Sequence, residues 1–326
     1  MSDEQIIFLI SQPRSGSTLL QAILGSHPDI YTCTEPWLAL PFIYALKEEG
    51  SEFECNGKWM KFAINAFFEE SGIDDEFYYS ALNSFLTVLY HKTLSNSGKR
   101  FFLDKTPRYY EIASDLINIF PDAKFIILFR HPLAVLNSII KTWVKKDIDI
   151  LFCYSRDLLI APTKLTNFVS AHHKNICLVK YETLVSSPKT EIKRICEYLD
   201  IEYIEEIINY KSNTDWFFGD KNFKDMKVPD DKLIDSWKDQ LVDKRIVNFN
   251  HYYLRELGEE MFESLGYEFS SAFDHVNKFN PNEYDFQTWK TLLHDYHIVS
   301  LDEQRFRVRK KIQSNFLKTL YKKLMS

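Results

Sequence analysis

Short, nearly continuous apolar runs alternate along the first two hundred residues with longer stretches of helical periodicity. The runs at 6–11, 30–34, 100–104, 124–129 and 176–180 are five or six residues long and stop at turns or polar clusters. Strands buried on both faces read this way, without polar alternation. Between them, helical patterns cover 17–26, 58–95 with breaks, 111–120, 133–146, 151–172 and 189–199. Alternating strands and helices predict an α/β, three-layer fold with right-handed crossovers and a central parallel sheet flanked by helices. From Ile201 onward the strand signal fades. The expected division is an α/β domain over 1–270 and a helical C-terminal extension over 271–326.

Composition adds limits. With 45% hydrophobic residues among 326, the chain can bury a substantial core. A net charge of −6 speaks against bulk nucleic-acid binding. That charge is uneven: residues 304–326 hold eight basic residues and no acid, leaving −14 on the rest. In this tail Phe306, Ile312, Phe316, Leu317, Leu320 and Leu324 recur at helical spacing, which predicts a basic amphipathic helix from Val308 onward. Such a helix docks on the acidic body, on an anionic membrane surface as a peripheral contact, or on an acidic partner. The five cysteines are scattered with no C-x-x-C pair, which fits free thiols in a reducing compartment. The acidic N-terminus lacks a signal-peptide pattern and no apolar run has membrane-spanning length, so a soluble, cytoplasmic protein is expected.

The most informative segment is Ile6-Ile7-Phe8-Leu9-Ile10-Ser11-Gln12-Pro13-Arg14-Ser15-Gly16-Ser17-Thr18-Leu19-Leu20. A strand runs into a tight polar turn and a helix starts at once. Free N–H groups at such a start, reinforced by the helix dipole, form an anion site. Gly16 lets the backbone approach a ligand, Ser17 and Thr18 add hydroxyls, and Arg14 adds a cationic fork. A ligand-free reading is also open, with Ser17 as an ordinary helix N-cap. The loop is not a Walker A motif: Ser17 follows Gly16 where lysine would stand, and Ser11 occupies the first glycine position.

This segment, followed by His27-Pro28-Asp29 and Glu35-Pro36, resembles the 5′-phosphosulfate loop of sulfotransferases that use 3′-phosphoadenosine 5′-phosphosulfate (PAPS). The similarity is to their Arg-Ser-Gly branch, which includes tyrosylprotein, carbohydrate and bacterial enzymes. A second block, from Phe120-Pro121-Asp122 through Phe129-Arg130-His131-Pro132 with Ser138 beyond, is similar to the family's 3′-phosphate strand and helix. Leu103-Asp104-Lys105-Thr106-Pro107 and Val179-Lys180-Tyr181-Glu182-Thr183-Leu184 resemble two further signatures, and all four stand in the family's order. The last 125 residues match loosely, chiefly at Gly219-Asp220 and at Lys227 ahead of Trp237.

The resemblance implies a P-loop-type three-layer α/β fold and sulfuryl transfer from PAPS to a hydroxyl or amine, with the nucleotide product PAP and no metal. It implies that Pro13, Arg14, Ser15, Gly16, Ser17, Thr18, Leu19, Arg130, Ser138, Tyr181 and Lys227 hold the donor. Arg14 and Lys105 would neutralise charge at the transferred group and bridging oxygen, and Glu35 would be the base. Cytosolic small-molecule enzymes carry a histidine at the third block, where this chain has Pro107. His91, His131, His172 and His173 are the other candidate bases. Acceptor pockets in this fold arise from insertions, here 36–100 and 140–175, with Trp59, Phe67, Phe68, Tyr78, Tyr79 and Trp143 as candidate cleft aromatics. The acceptor could be a carbohydrate, lipid, peptide or small metabolite, and the oligomeric state is open. A small-metabolite kinase and a non-catalytic nucleotide binder are the competing classes. The first wants a loop lysine and acidic metal ligands; the second is disfavoured by the intact Arg14, Glu35, Lys105, Arg130 and Ser138.

Overall fold

Each apolar run is a strand in the computed structural model, which describes residues 2–33, 35–47, 57–144, 151, 154–172, 176–210 and 231–281 (backbone alone for 57–60). The strands are β1 (Ile6–Ser11), β2 (Ile30–Thr32), β3 (Phe101–Lys105), β4 (Lys124–Phe129) and β5 (Ile176–Lys180). They form one parallel sheet in the order β2-β3-β1-β4-β5. Two boundaries differ from expectation. The edge strand β2 ends at Thr32, whose hydroxyl donates to the Leu103 carbonyl at 2.8 Å. β3 starts one residue late because Arg100 turns outward to Asp29, at 2.9 Å.

The central strand explains the three layers. All six residues of β1 are buried, and successive side chains point to opposite faces. Ile6, Phe8 and Ile10 enter one core with Phe102, Phe125 and Ile127; Ile7 and Leu9 enter a second with Leu103, Ile126 and Leu128. Phe8 packs within an aromatic cluster, 5.3 Å from Phe125 and 5.4 Å from Phe120 between ring centroids.

The second core is covered by α1 (Ser17–Gly25) and supplied further by residues from Tyr181 to Tyr210. The first is covered by α2 (Leu40–Tyr44), the long helix α4 (Asp75–Ser97), α5 (Ala113–Ile119) and α6 (Pro132–Ile139), while α3 (Gly57–Ser71) reaches Tyr78 of α4 through Phe68. On α4, Asp74 caps the start by accepting the Phe77 N–H at 2.8 Å, and Leu82, Leu86, Tyr90 and Leu94 bury one face at four-residue spacing. The helix α7 (Ala161–His172) follows, then α8 (Tyr181–Ser186) and α9 (Pro188–Leu199).

Two expected helices are not uniform. The pattern at 133–146 forms α6 and then a π-helical turn, Ile140–Val144; the pattern at 151–172 contains a second such turn, Arg156–Ile160, before α7. Wide turns of this kind redirect side chains and recur at functional sites.

Beyond Ile201 the described residues hold helices and loops: α10 (Lys244–Leu257), α11 (Glu259–Ser264) and α12 (Phe269–Asn277). The helix α12 spans the expected division at 270 and buries Ala272 and Val276 in the first core. The basic segment 304–326, Gly219, Asp220 and Lys227 lie outside the described residues. No described helix is long and apolar enough to cross a membrane.

Candidate active site

Because β1 lies between β3 and β4, the sheet order turns at the carboxyl end of β1, the position where open α/β sheets bind ligands. The chain there runs through Gln12, Pro13, Arg14, Ser15 and Gly16 before α1 starts at Ser17. Arg14 has φ +71° and Gly16 φ +95°, with Ser15 between them on the negative side. Alternation of this kind turns successive N–H groups toward one concavity, and the unpaired N–H groups of the first helical turn join them. The N-cap is Gly16, not Ser17, and no side chain caps this helix. That corrects the ligand-free reading of the motif. Ser15 Oγ is buried with no hydrogen-bond partner.

Two loop residues contribute less than expected. Leu19 buries its side chain in the second core and gives its N–H to the Gly16 carbonyl at 3.0 Å. Pro13 is buried and has no N–H to offer.

Arg130, just past β4, braces the loop. Its Nη1 donates to the Arg14 carbonyl at 3.1 Å and its Nη2 to the Leu233 carbonyl at 3.3 Å. Its guanidinium lies 4.1 Å from the centroid of the Tyr181 ring, and its Nε is buried without a partner. This is not the surface salt bridge that the residue alone would suggest. Burial holds its pKa below the ordinary arginine value. The same Tyr181 ring, at the start of α8, packs against Gly16: a Cβ there would stand 2.4 Å from Tyr181 Cδ2.

Arg14 extends from the loop onto α6 and the π-helical turn after it. Its Nε donates to Ser138 Oγ at 3.1 Å and its Nη2 to Thr142 Oγ1 at 3.2 Å, with the guanidinium 5.5 Å from the Trp143 ring centroid. The structure therefore joins Arg14 to Ser138, whereas the resemblance assigned them to different ends of the donor.

Lys105 closes the other side. As the last residue of β3, beside β1, it is 1% exposed, so it is no ordinary surface lysine. Its Nζ lies 2.6 Å from Glu35 Oε1 and 3.5 Å from Thr18 Oγ1 in the first turn of α1. Glu35 is thus an ion-pair partner at the loop mouth, ahead of α2, and its second oxygen accepts the Trp37 indole N–H at 3.2 Å.

Asp104 points to the opposite face of β3. Its carboxylate accepts from Tyr90 at 2.6 Å, Thr106 at 2.8 Å and Tyr109 at 3.3 Å. Burial pushes its carboxyl up to about 6, against those three donors and with the Glu35 charge adding to the rise. Between about pH 4 and 6 the folded chain therefore holds a proton that the unfolded chain releases. The stabilisation from the neutral form is complete below about pH 4 and is lost as pH rises through 6, on the order of 3 kcal/mol. Urea unfolding at pH 4.5 and 7 should show the stability difference between wild type and Asp104→Asn shrinking with rising pH. A difference that stays constant would refute this.

The histidine alternatives lie elsewhere. His131 is held down to about 4, chiefly by burial, and stacks on Trp237 with centroids 5.1 Å apart. His91 is exposed on α4, His172 packs on Phe168, and His173 lies outside the described residues. Of the expected cleft aromatics, Trp143 adjoins Arg14 and stacks on Tyr154. Tyr78 and Tyr79 give their hydroxyls to the Phe42 carbonyl and to Asp115, Phe68 packs on Tyr78, and Phe67 is 58% exposed. The Trp59 side chain is outside the described residues.

Sequence reasoning missed Gln12, Trp37, Arg108 and Asp157. Asp157, in the second π-helical turn, takes a two-pronged contact from Arg108, at 3.0 and 2.7 Å, and its carbonyl accepts from Gln12 at 2.9 Å. Among these, Gln12, Trp37 and Arg108 flank recognised motifs; nothing local marks Asp157. Among the described residues, no group of three or more histidine, cysteine or acidic side chains is arranged to hold a metal ion.

Comparison with known proteins places the chain in a family. Residues 6–205 match the model described as the sulfotransferase family. Nodulation protein NoeE of Sinorhizobium fredii is 27% identical over 286 residues, covering 81% of this chain and 66% of that protein. Protein-tyrosine sulfotransferase 1 of Danio rerio is 31% identical over 215 residues, covering 64% of this chain and 57% of that one. The chain thus spans between half and two thirds of the length of these relatives. Among solved structures, the sulfotransferase domain from the curacin biosynthetic pathway superposes with a TM-score of 0.52 at 21% identity, covering 84% of this chain and 96% of that one, which supports the fold.

Proposed function

The chain belongs to the sulfotransferase family, and from that premise we propose that it transfers a sulfuryl group from PAPS to an acceptor hydroxyl. One observation carries the reading: a buried lysine and a carboxylate meet at 2.6 Å beside the first turn of α1, where the loop N–H groups open.

The chemistry follows from charge. The sulfur–oxygen bond to the acceptor forms as the bond to the bridging phosphate oxygen breaks, and that electron pair leaves on the nucleotide phosphate. The loop N–H groups and the Ser17 and Thr18 hydroxyls would hold the 5′-phosphosulfate. Glu35 would take the acceptor proton. Once protonated, Glu35 no longer neutralises Lys105, so the lysine charge becomes available to the leaving phosphate. Arg130, Ser138 and the Arg14 fork between them suit the 3′-phosphate. The unpartnered Arg130 Nε and Ser15 Oγ are the polar atoms that a bound nucleotide would satisfy. A phenolic hydroxyl is the acceptor class to test first, in view of the protein-tyrosine sulfotransferases among the relatives.

Labelled PAPS offered with tyrosine peptides and with oligosaccharides should transfer label to one class, and ATP should transfer no phosphoryl group to either. Arg130→Ala and Ser138→Ala should weaken PAPS binding about tenfold or more while sparing adenosine 5′-phosphosulfate, which lacks the 3′-phosphate. Equal losses for both nucleotides would move these residues to another part of the site.

A further inference from the structure

We propose that Trp37 is a positioning residue for Glu35, locked by the Arg108–Asp157 pair so that its indole N–H holds one carboxylate oxygen while Lys105 holds the other. The proposal rests on the reading of Glu35 as the base and extends the machinery to residues that no signature marks.

The first observation is strain. Trp37 has φ +54°, a left-handed backbone conformation that costs a bulky side chain about 1–2 kcal/mol and persists where its surroundings over-determine it. The surroundings here do so. The indole N–H donates to Glu35 Oε2 at 3.2 Å, and Arg108 lies over the indole ring, 5.6 Å from its centroid. Arg108 cannot swing away, because Asp157 grips its fork through both oxygens. Asp157 is 2% exposed and also accepts the Tyr110 hydroxyl at 2.8 Å, so its own orientation is set.

The second observation is where the chain of contacts ends. The Asp157 carbonyl accepts from Gln12, the first residue after β1 and the start of the phosphate loop. Rigid contacts therefore run from the loop through Asp157, Arg108 and Trp37 to Glu35. The charged groups that act on Glu35 are Lys105, in direct contact, Arg108 from the turn after β3, and Asp104, whose charge is felt from the other face of β3. Held from two sides, the carboxylate cannot rotate about its last bond, and its remaining lone pairs keep one direction for the incoming proton.

The test reads the contact and the chemistry separately. The protein has six tryptophans, and the indole N–H resonance lost in Trp37→Phe identifies Trp37 in a ¹⁵N-labelled sample. In Glu35→Ala this resonance should move upfield and exchange with solvent about tenfold faster. Arg108→Gln combined with Asp157→Asn, which removes both charges and leaves no buried orphan, should release it in the same way. With whichever acceptor takes label from PAPS, Trp37→Phe should lower turnover about tenfold while the donor KM stays within about twofold. An indole signal indifferent to Glu35 or to the double substitution overturns the proposal, and so does normal turnover in Trp37→Phe. Calorimetric titration of the wild type with PAP reports on the parent reading. Absence of PAP binding sinks that reading, whereas intact binding with an unmoved indole signal sinks this proposal alone.

Discussion

Replacing Lys105 with methionine should lower sulfate transfer about 10²–10³-fold while leaving PAP binding within severalfold of wild type. The substitution keeps most of the length and the apolar stem of a side chain that is 1% exposed, so little space opens at the end of β3. What it removes is a cation 2.6 Å from Glu35 and 3.5 Å from Thr18. Two losses combine: the leaving phosphate meets no positive charge, and Glu35 keeps only the Trp37 contact. Glu35 is 16% exposed, so water reaches it and the fold should tolerate the change. Arginine should not rescue, because its planar fork is wider than an ammonium and the buried site has no room for it. Single-turnover transfer with a matched thermal melt is the measurement. Turnover within about threefold of wild type, in a folded Lys105→Met protein, would remove Lys105 from the mechanism.

The second large effect is expected at Gly16. Alanine there meets two separate costs. Its φ of +95° lies where an L side chain is strained, worth about 1–2 kcal/mol. Its Cβ would also stand 2.4 Å from Tyr181 Cδ2 and 2.7 Å from Cε2. Tyr181 cannot yield easily, because it is buried and its ring lies under the Arg130 guanidinium. Gly16→Ala should therefore drop the melting temperature by several degrees, at about 2–4 °C per kcal/mol for a chain of this size, and weaken nucleotide binding more than tenfold. Tyr181→Ala removes the clash but opens a cavity of its own, so the readout is the cycle: Gly16→Ala should lower the melting temperature less in the Tyr181→Ala background than in wild type. An equal drop in both backgrounds would mean that the ring contact carries no cost; no drop in the Tyr181→Ala background would mean that the positive φ carries none.

The layered architecture was legible because it is imprinted locally. A strand buried on both faces needs an unbroken apolar run, and five such runs became the five strands of one parallel sheet. The anion loop was legible too, since Gly16, Ser17 and Thr18 need only a strand before them and a helix after them. The sheet order β2-β3-β1-β4-β5 could not be read this way. No residue of β1 states that β3 and β4, some ninety and more residues away, will flank it.

That order decides the site. Lys105 reaches Thr18 because β3 lies beside β1, and Arg130 reaches the Arg14 carbonyl because β4 lies on the other side. Tertiary packing also overturned local readings: it gave the helix cap to Gly16 instead of Ser17, and turned Leu19 into the core. Asp157 shows the limit most clearly. It stands in a π-helical turn with no motif around it, and its partners Arg108 and Gln12 are 49 and 145 residues distant in sequence. Spacing along a chain records which face of an element is buried. Which charged groups meet across that chain depends on neighbours that only the assembled sheet defines.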